Sequence, residues 1–196
     1  DISIVTLNAN SGASAVRFIK KHGNDVDIFL LQEVKVVADT KGGECQVEAF
    51  KNQLLKYGFR SVVAPGRITE KGGKSGGVAI AWRGGLNITS PQIVCPHRAV
   101  SVEVHTHNAG DIQLYCVYGD AQGTWKCQKA MWQAISAAAA VSGKPFIWGG
   151  DWNASNVEVQ EIVGSLSIPA SIRALDRSTC VTVSGGSIID FCVVLE

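Results

Sequence analysis

The chain has 196 residues, of which 46% are hydrophobic, and its formal net charge is +1. This length and apolar content predict one globular domain with enough chain to bury a core. The near-neutral charge excludes a global electrostatic attraction to nucleic acid or to a membrane, so contact with a polyanion would need a local patch.

The apolar pattern predicts helices and strands along the whole chain. In chain order they are a strand at Ile2–Leu7, a helix at Ala13–His22, a strand at Asp27–Glu33, a helix at Glu44–Tyr57, strands at Arg60–Ala64, Gly77–Trp82, Ala99–His105 and Asp111–Tyr118, a helix at Cys127–Ser142, a strand at Phe146–Trp148, a helix at Asn156–Leu166 and a strand at Ile188–Leu195. The turn His107–Gly110 makes its flanking strands a hairpin, so the middle of the sheet system must be antiparallel.

The six cysteines contain no Cys-x-x-Cys pair, which argues against a zinc site. The sequence has no signal peptide and no apolar segment of membrane length, so we expect an intracellular protein that is not secreted. The chain opens directly on a strand without an initiator methionine and stops within an apolar run, so we expect residues 1–196 to be one domain cut from a longer protein.

The stretch Pro145–Asn153 combines a short buried strand with polar residues at its end. Two glycines follow Trp148, and then come Asp151 and Asn153, whose side chains point the same way in an extended backbone. A carboxylate and a carboxamide at the mouth of a sheet can orient a water and hold a phosphate oxygen. The same pattern is also typical of a turn into a helix that is capped by Asp and Asn.

Other polar residues follow apolar runs in the same way. They are Asn8, Glu33, Asp151 with Asn153, and Asp190. This recurrence suggests one rim that carries a hydrolytic centre with hard oxygen ligands for Mg²⁺ or Mn²⁺. Glu33 at the edge of a buried strand needs a partner, either a basic side chain or a metal, because an unpaired buried carboxylate is costly.

Two further patterns do not support the sites that they suggest. The run Gly72–Ser75 hints at a phosphate-binding P-loop, but Ile68 stands where that motif requires its first glycine, and a strand follows instead of a helix. His105 and His107 share a strand face and could ligate a metal, yet the sequence shows no third ligand, so we interpret them as surface histidines.

The stretch between Ala49 and Val102 is locally basic, since Glu70 is its only acidic residue. Its basic residues are Lys51, Lys56, Arg60, Arg67, Lys71, Lys74, Arg83 and Arg98. They form either a patch that faces phosphates or ordinary solvated positions around neutral strands.

An ordered set of motifs runs along the chain, at Thr6–Asn10, Leu31–Val34, Ser75–Ile80, Val117–Tyr118, Gly150–Asn153 and Ser187–Phe191. Together these motifs resemble the endonuclease/exonuclease/phosphatase superfamily of Mg²⁺-dependent phosphohydrolases, which includes apurinic endonucleases, deoxyribonuclease I and the endonuclease domains of non-LTR retrotransposons. They cover nearly the whole chain in the family's order. The implied fold is an α/β (α+β) sandwich of two mixed, largely antiparallel sheets flanked by helices.

The resemblance also implies roles for individual residues. Glu33 would hold Mg²⁺, with Mn²⁺ as a substitute, and Asp151 would orient or deprotonate the attacking water. The other catalytic residues implied are Asn8, Tyr118, Asn153 and Asp190. We add Asn10, Lys74 and Arg98 as predicted substrate-binding residues.

The sequence departs from the family pattern in two places. Asp120 replaces a proline after Tyr118, and Ala121 stands where an asparagine follows, so we expect a family phosphate contact to be weakened. The chain also stops at Glu196 before the family's Ser-Asp-His motif, whose histidine assists the transition state. We therefore expect this chain, as it stands, to be weakly active or inactive.

The interpretation that these observations favour is a metal-dependent DNA endonuclease domain of a retroelement polyprotein, located in the nucleus, with DNA and no membrane as its partner. One alternative keeps the fold and acts on small phosphate esters or lipid headgroups. Another is a degenerate module that binds nucleic acid without catalysis.

Overall fold

The computed structural model describes residues 2–38, 45–107, 110–119, 125–165, 170–174, 180–182, 185–187 and 190–195. Its helices are α1 (Gly12–His22), α2 (Gln46–Leu55), α3 (Trp125–Ser142) and α4 (Asn156–Ser165), with a short 3₁₀ turn at Gly23–Asp25. Its strands are β1 (Ile4–Asn8), β2 (Ile28–Gln32), β3 (Phe59–Ala64), β4 (Arg67–Ile68), β5 (Lys74–Ser75), β6 (Val78–Arg83), β7 (Ile88–Cys95), β8 (Ala99–Thr106), β9 (Gly110–Tyr118), β10 (Phe146–Asp151), β11 (Ala170–Ala174), β12 (Cys180–Thr182), β13 (Gly185–Ser187) and β14 (Asp190–Leu195).

The first large sheet has the order β1-β2-β6-β3. Strands β1 and β2 run parallel, and β6 pairs antiparallel with both β2 and β3. Every residue of β2 is buried, in agreement with the prediction that this apolar strand is covered on both faces. Helix α1 leads from β1 towards β2, and the Ser11 side chain caps it by accepting a hydrogen bond from the backbone N–H of Ser14.

The second large sheet has the order β11-β14-β10-β9-β8-β7. Strands β9 and β10 are parallel, and the other neighbouring pairs are antiparallel. The predicted hairpin of β8 and β9 is present, with Thr106 paired to Gly110. Two short ribbons, β4 with β5 and β12 with β13, lie outside the large sheets.

The two sheets pack face to face, and helices cover their outer faces. The inter-sheet core contains Leu30 and Ile80 from one sheet and Val102 and Leu114 from the other, all fully buried. A second core joins the outer face of the four-stranded sheet to α1 and α2. A third core joins the outer face of the six-stranded sheet to α3 and α4, where the rings of Trp132 and Trp152 stack at 4.7 Å. The predicted sandwich of mixed, largely antiparallel sheets is therefore confirmed.

The helix and strand boundaries differ from the sequence prediction at a few places. Helix α2 is shorter than predicted, and Tyr57 lies beyond its end with 39% of its surface exposed. Strand β7 was not predicted at all. Asp120, Ala121 and the start of the predicted last strand lie outside the described residues. None of the helices within the described ranges has the length and apolar character needed to span a membrane.

Candidate active site

The candidate site lies where the carboxyl ends of four strands meet at one edge of the sandwich. In the first sheet, β1 ends at Asn8, and Glu33 directly follows β2. In the second sheet, the parallel strands β9 and β10 end at Tyr118 and Asp151, which are register partners. Because parallel neighbours end at the same edge, each sheet brings two of these polar side chains together.

Two hydrogen bonds connect the polar ends of one sheet to those of the other. Asn8 Nδ2 donates to Asp151 Oδ2 at 2.6 Å. Tyr118 donates its phenolic hydrogen to Glu33 Oε1 at 2.5 Å. The Asn8 side chain also hydrogen-bonds Glu33. Asn8, Glu33, Tyr118 and Asp151 thus form one network across the gap between the sheets.

Glu33 is held as an anion by the groups around it. Its side chain is 21% exposed, and Lys35 Nζ lies 2.8 Å from its Oε2. Burial by itself raises the pKa of Glu33, but hydrogen bonds from Lys35 and Tyr118 outweigh burial and hold this pKa below its usual value. Lys35 Nζ also donates to Asn10 Oδ1 at 2.5 Å. The same ammonium therefore bridges two oxygen atoms of the site.

Tyr118 remains a hydrogen-bond donor at neutral pH. Burial and the neighbouring Glu33 carboxylate both raise the pKa of its phenol. The Arg98 guanidinium lies over the Tyr118 ring, 4.8 Å from its centroid, and Arg98 Nη1 donates to the carbonyl of Gly119 at 3.0 Å. Arg98 therefore brings a positive charge to the edge of the site and fixes the chain after β9.

Asp151 and Asn153 share the turn that follows β10. Asp151 is only 3% exposed, and both of its carboxylate oxygens accept hydrogen bonds, Oδ2 from Asn8 and Oδ1 from the backbone N–H of Asn153 at 3.1 Å. Asn153 Nδ2 donates to the Gly119 carbonyl at 3.0 Å. The arrangement positions a buried carboxylate and a partly exposed amide next to Tyr118.

The backbone adopts left-handed conformations at several residues of this site. Positive φ angles occur at Asn10 (56°), Glu33 (51°), Lys35 (51°) and Asn153 (46°). Asparagine tolerates this region, whereas Glu33 and Lys35 pay a steric cost of roughly 1–2 kcal/mol each. Backbone strain of this kind concentrates at functional sites, where the fold holds side chains in one orientation.

Close backbone approach also shapes the site. A Cβ atom on Gly119 would lie 1.8 Å from the Trp152 carbonyl oxygen, so any side chain there would push the β9 end away from the turn after β10. Gly149 allows a similar close approach between the two sheets, since a Cβ atom at this position would lie 2.5 Å from Leu30 Cδ1. Glycine at both positions lets the strand ends come within hydrogen-bonding distance.

The remaining predicted site residues take other positions. Asn10 joins the cluster through Lys35, and its backbone N–H donates to Asn8 Oδ1 at 3.2 Å. Lys74, on β5, donates to Gln46 Oε1 at 2.8 Å, and among the described residues it contacts none of the clustered side chains. The backbone of Asp190 is directly paired with Asp151, but its side chain lies outside the described residues.

Two residues of the site were missed from the sequence. Lys35 provides the basic partner of Glu33, and Gly119 supplies the carbonyl that binds both Arg98 and Asn153. The spacing of Lys35 two residues after Glu33 was visible, but only the left-handed backbone at both positions brings their side chains together.

The donor set is compatible with a hard divalent cation. Glu33 is anionic, the Asn8 and Asn10 side-chain oxygens lie nearby in the same network, and a lysine ammonium already binds two of these oxygens. Carboxylate and amide oxygens are the ligands that Mg²⁺ and Mn²⁺ prefer. Glu33 would be the direct ligand, with Lys35 moving aside.

The sequence of the chain matches a family model over residues 5–193, and that model describes the Endonuclease/Exonuclease/phosphatase family. The chain belongs to this family. Its members hydrolyse phosphate esters with the help of divalent metals and include both nucleases and phosphatases. No curated protein matches the chain in sequence.

Solved structures with low sequence identity to this chain share its fold. The endonuclease domain of TRAS1, a telomere-specific non-LTR retrotransposon, is 20% identical with a TM-score of 0.67, and the match covers 100% of this chain and 86% of that domain. The catalytic domain of Xenopus laevis APE2 is 15% identical with a TM-score of 0.65, covering 98% and 82%. A mannosyl-6-phosphatase from Bacteroides thetaiotaomicron is 15% identical with a TM-score of 0.63, covering 100% and 85%.

Proposed function

We propose that this family member is a metal-dependent DNA endonuclease of the retrotransposon kind. The observation that carries the proposal is the network formed by Asn8, Glu33, Tyr118 and Asp151, which joins two anions and two neutral donors across the gap between the sheets. A phosphodiester carries negative charge and needs a positioned water, so this mixture of groups suits its hydrolysis.

The chemistry of each side chain gives it a role in the proposed hydrolysis. Asp151 accepts a hydrogen bond from the attacking water and orients it, since its carboxylate is fixed by Asn8 and by the Asn153 backbone. Asn153 positions the phosphate as a hydrogen-bond donor, and the neutral phenol of Tyr118 does the same once its single hydrogen turns from Glu33 to a phosphate oxygen. Asn8 holds Asp151 in place. Asp190, paired with Asp151 through the backbone, supports the same strand end.

Glu33 would hold Mg²⁺, which when bound supplies positive charge to the phosphoryl oxygens and the leaving group. In this role the protein provides one direct carboxylate and leaves the remaining coordination positions to water and substrate, an arrangement typical of Mg²⁺ sites.

Basic residues around the site support an extended polyanionic substrate over a small ester. Arg98 lies beside Tyr118, and the β4–β5 ribbon with its connecting turn presents Arg67 and Lys71, together with one acidic residue, Glu70, along a cleft of about 480 Å³. That ribbon leads into Gly76, whose carbonyl binds the backbone N–H of Lys35 close to Glu33. Phosphates on either side of a scissile bond could therefore meet positive charge.

A substrate comparison tests the proposal. The domain, in its natural sequence context and with Mg²⁺, is expected to nick supercoiled plasmid and to release little phosphate from mannose 6-phosphate or an inositol phosphate. Asp151→Asn serves as the control for contaminating nucleases. Phosphate release without nicking would support the phosphatase alternative, and duplex binding without either reaction would support the non-catalytic module.

A further inference from the structure

A second polar cluster lies on the outer face of the β8–β9 hairpin. Strand alternation places Glu103 and His105 on the same face of β8, and the antiparallel register sets Asp111 of β9 directly opposite His105. The sequence offered His105 no third ligand, because Asp111 comes after the hairpin turn and only the register makes it a neighbour.

Ligand atoms of Glu103, His105 and Asp111 all lie within 4.8 Å of one another. His105 Nδ1 is 2.7 Å from Asp111 Oδ1 and 3.7 Å from Glu103 Oε1. The other ring nitrogen, Nε2, is 2.8 Å from Thr89 Oγ1. A hydrogen bond from the far nitrogen to an oxygen is how proteins orient an imidazole that binds a metal through the near nitrogen.

A cation already occupies this cluster. Lys144 binds Glu103 Oε1, and its ammonium lies 3.4 Å from Asp111 Oδ2. The Lys144 side chain is 31% exposed and that of Asp111 is 41% exposed, so both can move without disturbing the core. The cluster therefore attracts positive charge, and the Lys144 side chain that supplies this charge can move out into solvent.

A buried amide lies beside the cluster. Gln113 is paired with Glu103 across the strands and is only 6% exposed. It lines a cavity of about 440 Å³ together with Glu103 and Lys144. A carboxamide at the wall of this cavity can hydrogen-bond a water that is bound to a metal there.

We propose that Glu103, His105 and Asp111 form a second metal site, which takes Zn²⁺ or a similar transition-metal ion when Lys144 moves out. One imidazole and two carboxylates leave one position of a tetrahedral Zn²⁺ for water, within reach of the cavity lined by Gln113. Imidazole suits transition metals better than Mg²⁺, so this site would select a different ion from the Glu33 site.

The second site is remote from the catalytic cluster. Asp111 and Tyr118 are seven residues apart on β9, which corresponds to roughly 23 Å at about 3.3 Å per residue. Their side chains also point to opposite faces of the sheet, because an odd separation reverses direction along a strand. Metal binding at one site can therefore be measured while a substitution removes the other site.

Calorimetric titration with Zn²⁺ in a Glu33→Ala background tests the proposal. His105→Asn and Asp111→Asn are each expected to weaken binding at least tenfold, whereas His107→Asn, which changes the neighbouring exposed histidine, should leave it unchanged. Lys144→Met should tighten binding several-fold by removing the competing ammonium. Circular dichroism establishes that each variant is folded.

A measurement on the wild-type protein avoids dependence on variants. During Zn²⁺ titration the ring resonances of His105 should shift before those of His22, His97 and His107. Equal affinity in all variants, or shifts that are no larger at His105 than at the other histidines, would overturn the second site. Binding that is unchanged or weaker in Lys144→Met would overturn the displacement of Lys144.

Discussion

Glu33 shows how much of one residue's environment the sequence could predict. A carboxylate at the end of a fully apolar strand requires a partner, and the structure supplies Lys35 and Tyr118. The need for a partner follows from the cost of burying a charge. That Tyr118 is one of these partners does not follow from the sequence, because Tyr118 lies 85 residues away on the other sheet and reaches Glu33 only when the sheets pack.

Lys35 should compete with a divalent ion for Glu33. Its ammonium contacts both Glu33 and Asn10, so Lys35→Met removes a cation that any metal must displace. We expect Mn²⁺ to bind this variant several-fold more tightly, as measured by paramagnetic broadening in an NMR titration. Lys51→Met, which breaks an exposed ion pair with Glu48 on α2, is the matched control. Equal Mn²⁺ affinity in all three proteins would show that the metal does not use Glu33.

Tyr118→Phe should raise the pKa of Glu33. The phenolic hydrogen bond stabilises the ionised carboxylate, so its removal shifts this pKa upward, towards the usual value of a glutamate. Because the folded-state pKa is lowered, ionised Glu33 stabilises the protein at neutral pH, and this contribution is lost as the pH falls through that pKa. The Tyr118→Phe variant should lose this stabilisation at a higher pH than the wild-type protein.

A ¹³C NMR titration of the Glu33 side-chain carboxyl would measure this change. Tyr57→Phe is the control, since the Tyr57 ring is partly exposed beyond α2. An unchanged or lower Glu33 pKa in Tyr118→Phe would mean that the 2.5 Å hydrogen bond does not persist in solution.

At the scale of elements, the site depends on how strands end. The strand interiors follow from apolar patterning, which predicted β2, β6 and the β8–β9 hairpin. Strand β7 was missed because it is an edge strand with mostly exposed residues, a proline at Pro91 and register shifts against β8. Edge strands of this kind show little apolar patterning in the sequence. The left-handed turn after β2 was missed for a different reason, since Glu33 and Lys35 do not favour positive φ.

Gly119→Ala should destabilise the junction between β9 and the turn after β10. The added methyl group would lie 1.8 Å from a backbone oxygen, which cannot rotate away as a side chain could. We expect a loss of at least ~2 kcal/mol in the free energy of unfolding, measured with urea. In Gly84→Ala, at an exposed glycine whose nearest neighbour would be 3.7 Å away, the change should stay within about 0.5 kcal/mol. Similar values for the two variants would contradict the close approach.

At the scale of the whole molecule, the network of Asn8, Glu33, Tyr118 and Asp151 exists only because two sheets pack face to face. Asn8 and Asp151 are 143 residues apart, and the inter-sheet core around Leu30 and Leu114 sets their separation. The sequence could suggest that polar strand ends share one rim, and the resemblance to a family gave their order. Hydrogen-bond partners across the gap depend on packing details that local pattern does not contain.

We propose that Glu33 and Asp151 belong to one metal-dependent centre for phosphodiester hydrolysis. Plasmid nicking with Mg²⁺ tests this proposal when its rate is measured for the domain in its natural sequence context, for Glu33→Gln, for Asp151→Asn and for the exposed control Glu48→Gln. Each of the first two substitutions is predicted to lower the rate by about 10²-fold or more, with the protein still folded, while the control keeps the wild-type rate. Nicking that persists in folded Glu33→Gln and Asp151→Asn proteins would contradict the account.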